Sequence, residues 1–128
     1  MKSILIIEDE LNLNFDITSA FKNAGFEADM ALTGEVGLKK LQQKKYDGII
    51  IDFKLPGITG LDILEEIQDL QIGKILTSGF GSNYLKEEAT KLGAVFIDKP
   101  FENEKLINEM NKLISQKADK KEKVKIAK

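Results

Sequence analysis

The sequence predicts an α/β domain built on a doubly wound, five-stranded parallel sheet with five helices. Three observations predict it. Ile4-Leu5-Ile6-Ile7 and Gly48-Ile49-Ile50-Ile51 are continuous apolar runs without polar alternation, the pattern of strands buried on both faces. Around them lie segments whose apolar residues recur at helical spacing. Glycine, proline and capping residues separate the two kinds of segment, so strands and helices alternate along 128 residues, a length suited to one domain.

The elements follow in order. After Ile4 to Ile7 and the acidic pair Glu8-Asp9, the residues Leu13, Ile17, Ala20, Phe21 and Ala24 predict the inner face of a first helix. Lys22 lies in its last turn and Gly25 supplies its stop. Phe26 to Ala31 alternates apolar and charged residues and reads as an edge strand. Thr33 is expected to cap a second helix with Gly34, Gly37, Leu38 and Leu41 inward, before Lys44-Lys45-Tyr46-Asp47 leads into the strand that Asp52 closes. Phe53-Lys54-Leu55-Pro56-Gly57 is turn chemistry. Thr59 with Asp62 is a capping-box-like start to a third helix, with Leu61, Leu64, Ile67 and Leu70 inward and Gly73 as its break. Lys74-Ile75-Leu76-Thr77 is a fourth strand, and Ser78 to Ser82 a glycine-punctuated loop. Ser82 caps a fourth helix with Leu85, Ala89 and Leu92 inward and Gly93 as its stop. Ala94 to Ile97 is the fifth strand, ending at Asp98-Lys99-Pro100, and Leu106, Ile107, Met110, Leu113 and Ile114 line the last helix. The domain is expected over residues 1–115, with a lysine-rich C-terminal tail at 116–128 as a helix extension or a disordered end.

Composition removes whole classes of chemistry. The chain has neither cysteine nor histidine, which excludes disulfides, thiolate metal sites, the Ser-His-Asp triad and the Cys-His dyad. No apolar run reaches transmembrane length and the start is too short for a signal peptide, so a cytoplasmic protein is expected. The net charge of −2 hides an asymmetry: residues 117–128 carry six lysines against Asp119 and Glu122, leaving the body acidic. All 19 cations are lysines, and the tail has no aromatic residue, so nucleic-acid and membrane contacts are not expected.

Four strands end in functional side chains: Glu8 and Asp9, Asp52, Thr77, and Lys99. In a parallel sheet all strand C-termini share one edge, and in the order 2-1-3-4-5 strands one and three flank the crevice where ligands bind. Glu8, Asp9 and Asp52 then crowd together. Two carboxylates 4 Å apart repel by roughly 1 to 4 kcal/mol, depending on effective dielectric, so the cluster calls for a cation. An all-oxygen, solvent-accessible set suits Mg²⁺, with Mn²⁺ as the alternative. Carboxylate, divalent metal, lysine and hydroxyl together describe phosphoryl transfer to a carboxylate nucleophile.

With these motifs the chain resembles the receiver domain of two-component response regulators. The resemblance rests on Glu8-Asp9 after an apolar strand, Asp-Phe-Lys-Leu-Pro-Gly-Ile-Thr-Gly from Asp52 to Gly60, Leu-Thr-Ser-Gly at 76–79 and Phe-Ile-Asp-Lys-Pro-Phe at 96–101. It implies a flavodoxin-like sheet of order 2-1-3-4-5. It further implies that Asp52 accepts a phosphoryl group from a histidine kinase or histidine phosphotransfer protein. Asp9 and Asp52 would ligate Mg²⁺ directly, Glu8 through water, and the backbone carbonyl of Lys54 would complete the set. Thr77 and Phe96 resemble a switch pair, Lys99 would hold a phosphoryl oxygen, and the peptide to Pro100 would be cis. The output would be a changed surface over the fourth helix, fifth strand and fifth helix, near Tyr84, Phe96 and Lys99, read by a protein partner.

On this reading the protein is a free-standing phosphorylation switch or phosphorelay component, not a multiple-turnover enzyme. Two alternatives remain: an interaction module that keeps the fold without phosphorylation, and a Mg²⁺-dependent phosphatase, which usually wants a second acid where Lys54 stands. The chain departs from the family in a short interval between Asp52 and Thr77, which implies a trimmed third helix or exit loop. Ser78 stands where a smaller residue is common. Gly79 leaves one position beside the phosphoryl group bare while Lys54 puts a cation at the other, a pairing expected to alter acyl phosphate lifetime.

Overall fold

In the computed structural model the chain runs β1 (Ser3–Ile7), α1 (Leu11–Asn23), β2 (Glu27–Ala31), α2 (Gly34–Gln43), β3 (Gly48–Asp52), α3 (Gly60–Glu66), β4 (Gly73–Ser78), α4 (Asn83–Lys91), β5 (Val95–Asp98) and α5 (Asn103–Ile126). It describes the backbone of residues 1–126 and the side chains of residues 1–118, so most of the expected tail's side chains lie outside the described residues. The expected boundary at residue 115 falls inside α5. All four strand pairings are parallel and the sheet order is β2-β1-β3-β4-β5, with β2 at an edge as its alternation predicts.

Strand alternation divides the isoleucine runs between two cores. Leu5, Ile7, Ile49, Ile51 and Leu76 face the side covered by α2, α3 and α4, where they meet Ile63, Leu64 and Ala89. Ile4, Ile6, Ile50, Ile75 and Ile97 face the other side, against Ile17 and Phe21 of α1 and Leu106, Met110 and Ile114 of α5. Each such fully buried side chain contributes about 1.5–3 kcal/mol, which explains the unbroken apolar runs Ile4 to Ile7 in β1 and Ile49 to Ile51 in β3. Thr33 and Ser82 cap α2 and α4 through the amides of Val36 and Leu85. At α3 both halves of a capping box form between Thr59 and Asp62. Gly25 and Gly93 take the positive φ that ends α1 and α4.

Four expectations change. Gly73 does not break the third helix: α3 ends at Glu66 after only seven residues, and Gly73 opens β4, where an added Cβ would meet Met110 Sδ at 2.9 Å. Leu70 is consequently exposed, because beyond the helix its spacing no longer fixes its direction, and Ile63 takes the inner face instead. Ala24, at the C-cap of α1, is likewise exposed. Ser78, assigned to the loop, is the buried last residue of β4. Among the described residues no helix is long and apolar enough to cross a membrane.

Candidate functional site

The parallel sheet brings the ends of β1, β3 and β5 to one edge. Glu8 and Asp9 follow β1, Asp52 is the last residue of β3, and Lys99 follows β5, its N–H bonded to Ser78 O at 2.9 Å. The three acids each present a carboxylate oxygen within 4.8 Å of the others, as the strand pattern predicts. Lys99 Nζ lies 2.7 Å from Glu8 Oε1 and 3.1 Å from Asp52 Oδ1. One ammonium therefore bridges two carboxylates, while Asp9 is exposed at the mouth.

Burial sets the electrostatics. Glu8 and Asp52 are 3% and 6% exposed. Desolvation pushes both carboxyls above their ordinary range, against the downward pull of the Lys99 hydrogen bonds; the Asp52 charge acting on Glu8, and Asp9 on Asp52, push further upward. Burial alone would lower Lys99, but its hydrogen bonds to Glu8 and Asp52 hold its ammonium above the usual lysine range. Three carboxyl groups thus share one ammonium, and with all three ionised the site is short of positive charge. Its donor set, three carboxylates with one exposed to solvent, is the hard oxygen chemistry that takes Mg²⁺ with part of its hydration shell retained.

Local sequence fixes the supports. Gly60 N–H bonds Phe53 O at 2.8 Å, and only glycine fits there: a Cβ would stand 2.7 Å from the backbone oxygen of Asp52. The capping box of α3 thus seats against the strand end that carries the carboxylate. On the other flank, Asn14, fully buried in α1, shares the two N–H groups of its side-chain amide among Ile6 O, Glu8 O and Ala31 O, each at 3.1 Å. Its own oxygen accepts from Thr18 Oγ1. Sequence reasoning passed over Asn14; an asparagine one turn before Ile17 and Thr18, on the apolar face of a helix, was the available signal.

The remaining expected site residues are distributed as follows. Thr77 is buried and in register with Asp52 on the neighbouring strand. Phe96, in register with Leu76, is partly buried against the α2–α3–α4 core. It opens onto a neighbouring cleft of about 560 Å³ with Asp98 and Lys105, separate from the acidic one. Lys54, Gly79 and Phe80 line the acidic cleft of about 550 Å³. The Lys54 ammonium stands 5.4 Å from the centre of the exposed Phe80 ring. A Cβ on Gly79 would meet nothing within 4 Å, so this rim is open. Ser78 accepts from Phe80 N–H through its hydroxyl. The peptide from Lys99 to Pro100 is cis.

Comparison with known proteins agrees with this geometry. The model of the response regulator receiver domain matches residues 4–111. The chain is similar to the response regulator ArlR of Staphylococcus epidermidis, 34% identical over 94% of this chain and 56% of that protein. It is also similar to a putative NtrX-like response regulator of Rickettsia felis, 35% identical over 94% of this chain and 28% of that protein. The chain thus spans about half the length of the first of these relatives, and less of the second. Among solved structures it is similar to a response regulator receiver domain protein of Clostridium thermocellum (TM-score 0.86, 28% identity, 92% of this chain and 98% of that chain). Another is the response regulator TrrA of Thermotoga maritima in complex with Mg²⁺-BeF (TM-score 0.79, 30% identity, 88% of this chain and 99% of that chain).

Proposed function

The chain belongs to the response regulator receiver domain family, and from that footing we propose that Asp52 is its phosphoacceptor, supplied by a histidine kinase or histidine phosphotransfer protein. The observation that carries this reading is the convergence of three carboxylates within 4.8 Å, two of them bridged by Lys99. An ionised Asp52 needs no general base: its Oδ attacks phosphorus, the bond from phosphorus to the donor breaks, and the donor leaves with the electron pair. Lys99, already at Asp52, turns an N–H to a phosphoryl oxygen, and the Thr77 hydroxyl offers a second donor. Asp9, Asp52 and the backbone carbonyl of Lys54 are the proposed Mg²⁺ ligands, with Glu8 acting through water. Mg²⁺, when bound, would neutralise charge on the transferring phosphoryl group. The complex of TrrA with Mg²⁺-BeF supports that assignment.

In this reading Thr77 and Phe96 report the new charge to the surface formed by α4, β5 and α5. Tyr84, 65% exposed on α4, and Lys99 bound the face that a protein partner reads. Acquisition is one phosphoryl group per chain, not turnover of external substrates.

A small acyl phosphate with Mg²⁺ should add one phosphoryl group to the intact protein, read by mass spectrometry, and none to Asp52→Asn. Equal labelling of the variant would overturn the assignment, and no labelling of either would favour a phosphorylation-independent interaction module. Because Lys54 lies over Phe80 at the cleft rim, Lys54→Ala should admit water more freely and speed loss of the label. An unchanged decay rate would remove Lys54 from that role.

A further inference from the structure

At the opposite edge of the sheet the chain buries a second ammonium. Lys74, the second residue of β4, is 4% exposed, and its Nζ donates one hydrogen bond, to Ile67 O at 2.9 Å. Ile67 is the C-cap of α3, so capping a short helix accounts for one of the three protons. The other two find no acceptor, and Lys74 makes no salt bridge, among the described residues. A buried ammonium with unused donors is costly unless something polar completes it.

What lies beside it is a cavity of about 200 Å³ whose charged lining, among the described residues, is Lys74, Lys91 and Lys117, with the amides of Gln68 and Gln71. Among the described residues no acid lines it. Asp69 acts on Lys74 from a distance, and Glu88 is held by Lys91 at 3.0 Å outside the cavity. Burial first, then the neighbouring charge of Lys117, holds the Lys74 ammonium below the ordinary lysine range, as expected for two cations facing each other across one space. At roughly 30 Å³ per water the cavity has room for several waters or one small oxyanion.

We propose that this cavity is a second ligand site, for a small soluble phosphate-bearing anion held by Lys74, Lys91 and Lys117. Lysine recognises phosphate as a point charge, without the fork geometry of arginine, and three such charges around one space favour a multivalent ligand. The two glutamines can donate to its remaining oxygens. This site is independent of the chemistry at Asp52, from which it is separated by the length of β4.

The test is a ¹H–¹⁵N titration of the full chain with pyrophosphate, without Mg²⁺ and at fixed ionic strength. Saturable shifts are expected at Gln68 to Gln71, Lys74, Leu92, Gly93 and Lys117. Lys74→Met should weaken binding about tenfold, the loss of one charge-assisted hydrogen bond. Lys117→Ala, on the half-exposed surface, should weaken it similarly and keeps the test decisive if the Lys74 variant does not fold. Shifts confined to the Asp52 edge, a response that never saturates, or undiminished affinity in either folded variant would overturn the proposal. So would binding to phosphatidylglycerol vesicles without any saturable response to pyrophosphate.

Discussion

Lys99 and Lys74 are both drawn out of water, at opposite edges of one sheet, and their surroundings are opposites. Lys99 lies within 3.1 Å of two carboxylates and is held more basic than usual. Lys74 has one peptide carbonyl at 2.9 Å and is held less basic. The same side chain is therefore a counterion at one edge and, among the described residues, a charge without an acidic partner at the other. Desolvation acts on both; what differs is whether opposite charge was folded in with it.

The largest effect that tests this contrast is expected from Lys99→Met. It strips the cation from two buried carboxylates and should lower the free energy of unfolding in Mg²⁺-free buffer by about 3 kcal/mol. Added Mg²⁺ should return part of that loss, and urea unfolding with and without the ion measures both. A variant as stable as the parent would end the view of Lys99 as the site's internal counterion.

Next in size is Asp52→Asn, with the opposite sign. Glu8 and Asp52 titrate higher in the folded protein than in the unfolded chain. Stability present below their unfolded values is therefore lost as pH rises through the folded ones, and the metal-free protein carries this penalty once both carboxyls are ionised. Removing one of the crowded charges should raise stability at neutral pH by roughly 1–2 kcal/mol, an advantage that fades in acid. A loss of stability at neutral pH would mean that Lys99 compensates the cluster completely.

The smallest effect should come from Lys74→Met, which deletes a charge that has no carboxylate partner among the described residues. The change at neutral pH should stay within about 1 kcal/mol, since similar volume is kept and a desolvated ion is lost. The sign of its pH dependence is the sharper test. With a depressed folded value, the unfolded chain binds more protons in the window below the ordinary lysine range, so Lys74 adds stability as pH rises through that window. The variant should lack this gain in alkaline solution, below the ordinary lysine range. An identical alkaline profile would place an unseen acceptor beside the ammonium.

Most of the site was legible before the fold because its residues stand at strand ends, and strand ends were marked by apolar runs stopping at a charge. Asp52 after three isoleucines, Glu8-Asp9 after four apolar residues and Lys99 after Phe96-Ile97-Asp98 needed only the parallel sheet to converge. Helix stops at Gly25 and Gly93 and caps at Thr33, Thr59 and Ser82 were legible for the same reason: one residue type answers a local backbone need. What escaped depends on contacts between distant elements. Gly73 looked like a helix breaker because sequence does not reveal that α5 passes over it. Tyr46 sat in a charged linker yet is buried, its hydroxyl 2.6 Å from Asp29 Oδ2 on β2. Lys74 is buried because α3 ends early enough to turn a carbonyl toward it. Asn14 is a polar residue whose partners come from two strands and the loop beyond one of them.

That single amide has a mechanical consequence. By gripping the carbonyls of Ile6, Glu8 and Ala31, Asn14 clamps the first helix, the first strand and the edge strand into one stiff jaw of the acidic cleft. Glu8 N–H, bonded to Ala31 O at 3.1 Å, lies inside the clamp. The facing jaw is looser: Phe80 is tied back through one serine hydroxyl, beside an open glycine. On the proposed phosphorylation of Asp52, motion therefore belongs to the looser jaw. Amide protons at Glu8 and along the edge strand should exchange slowly and alike in both states, while those of residues 79–82 register the event.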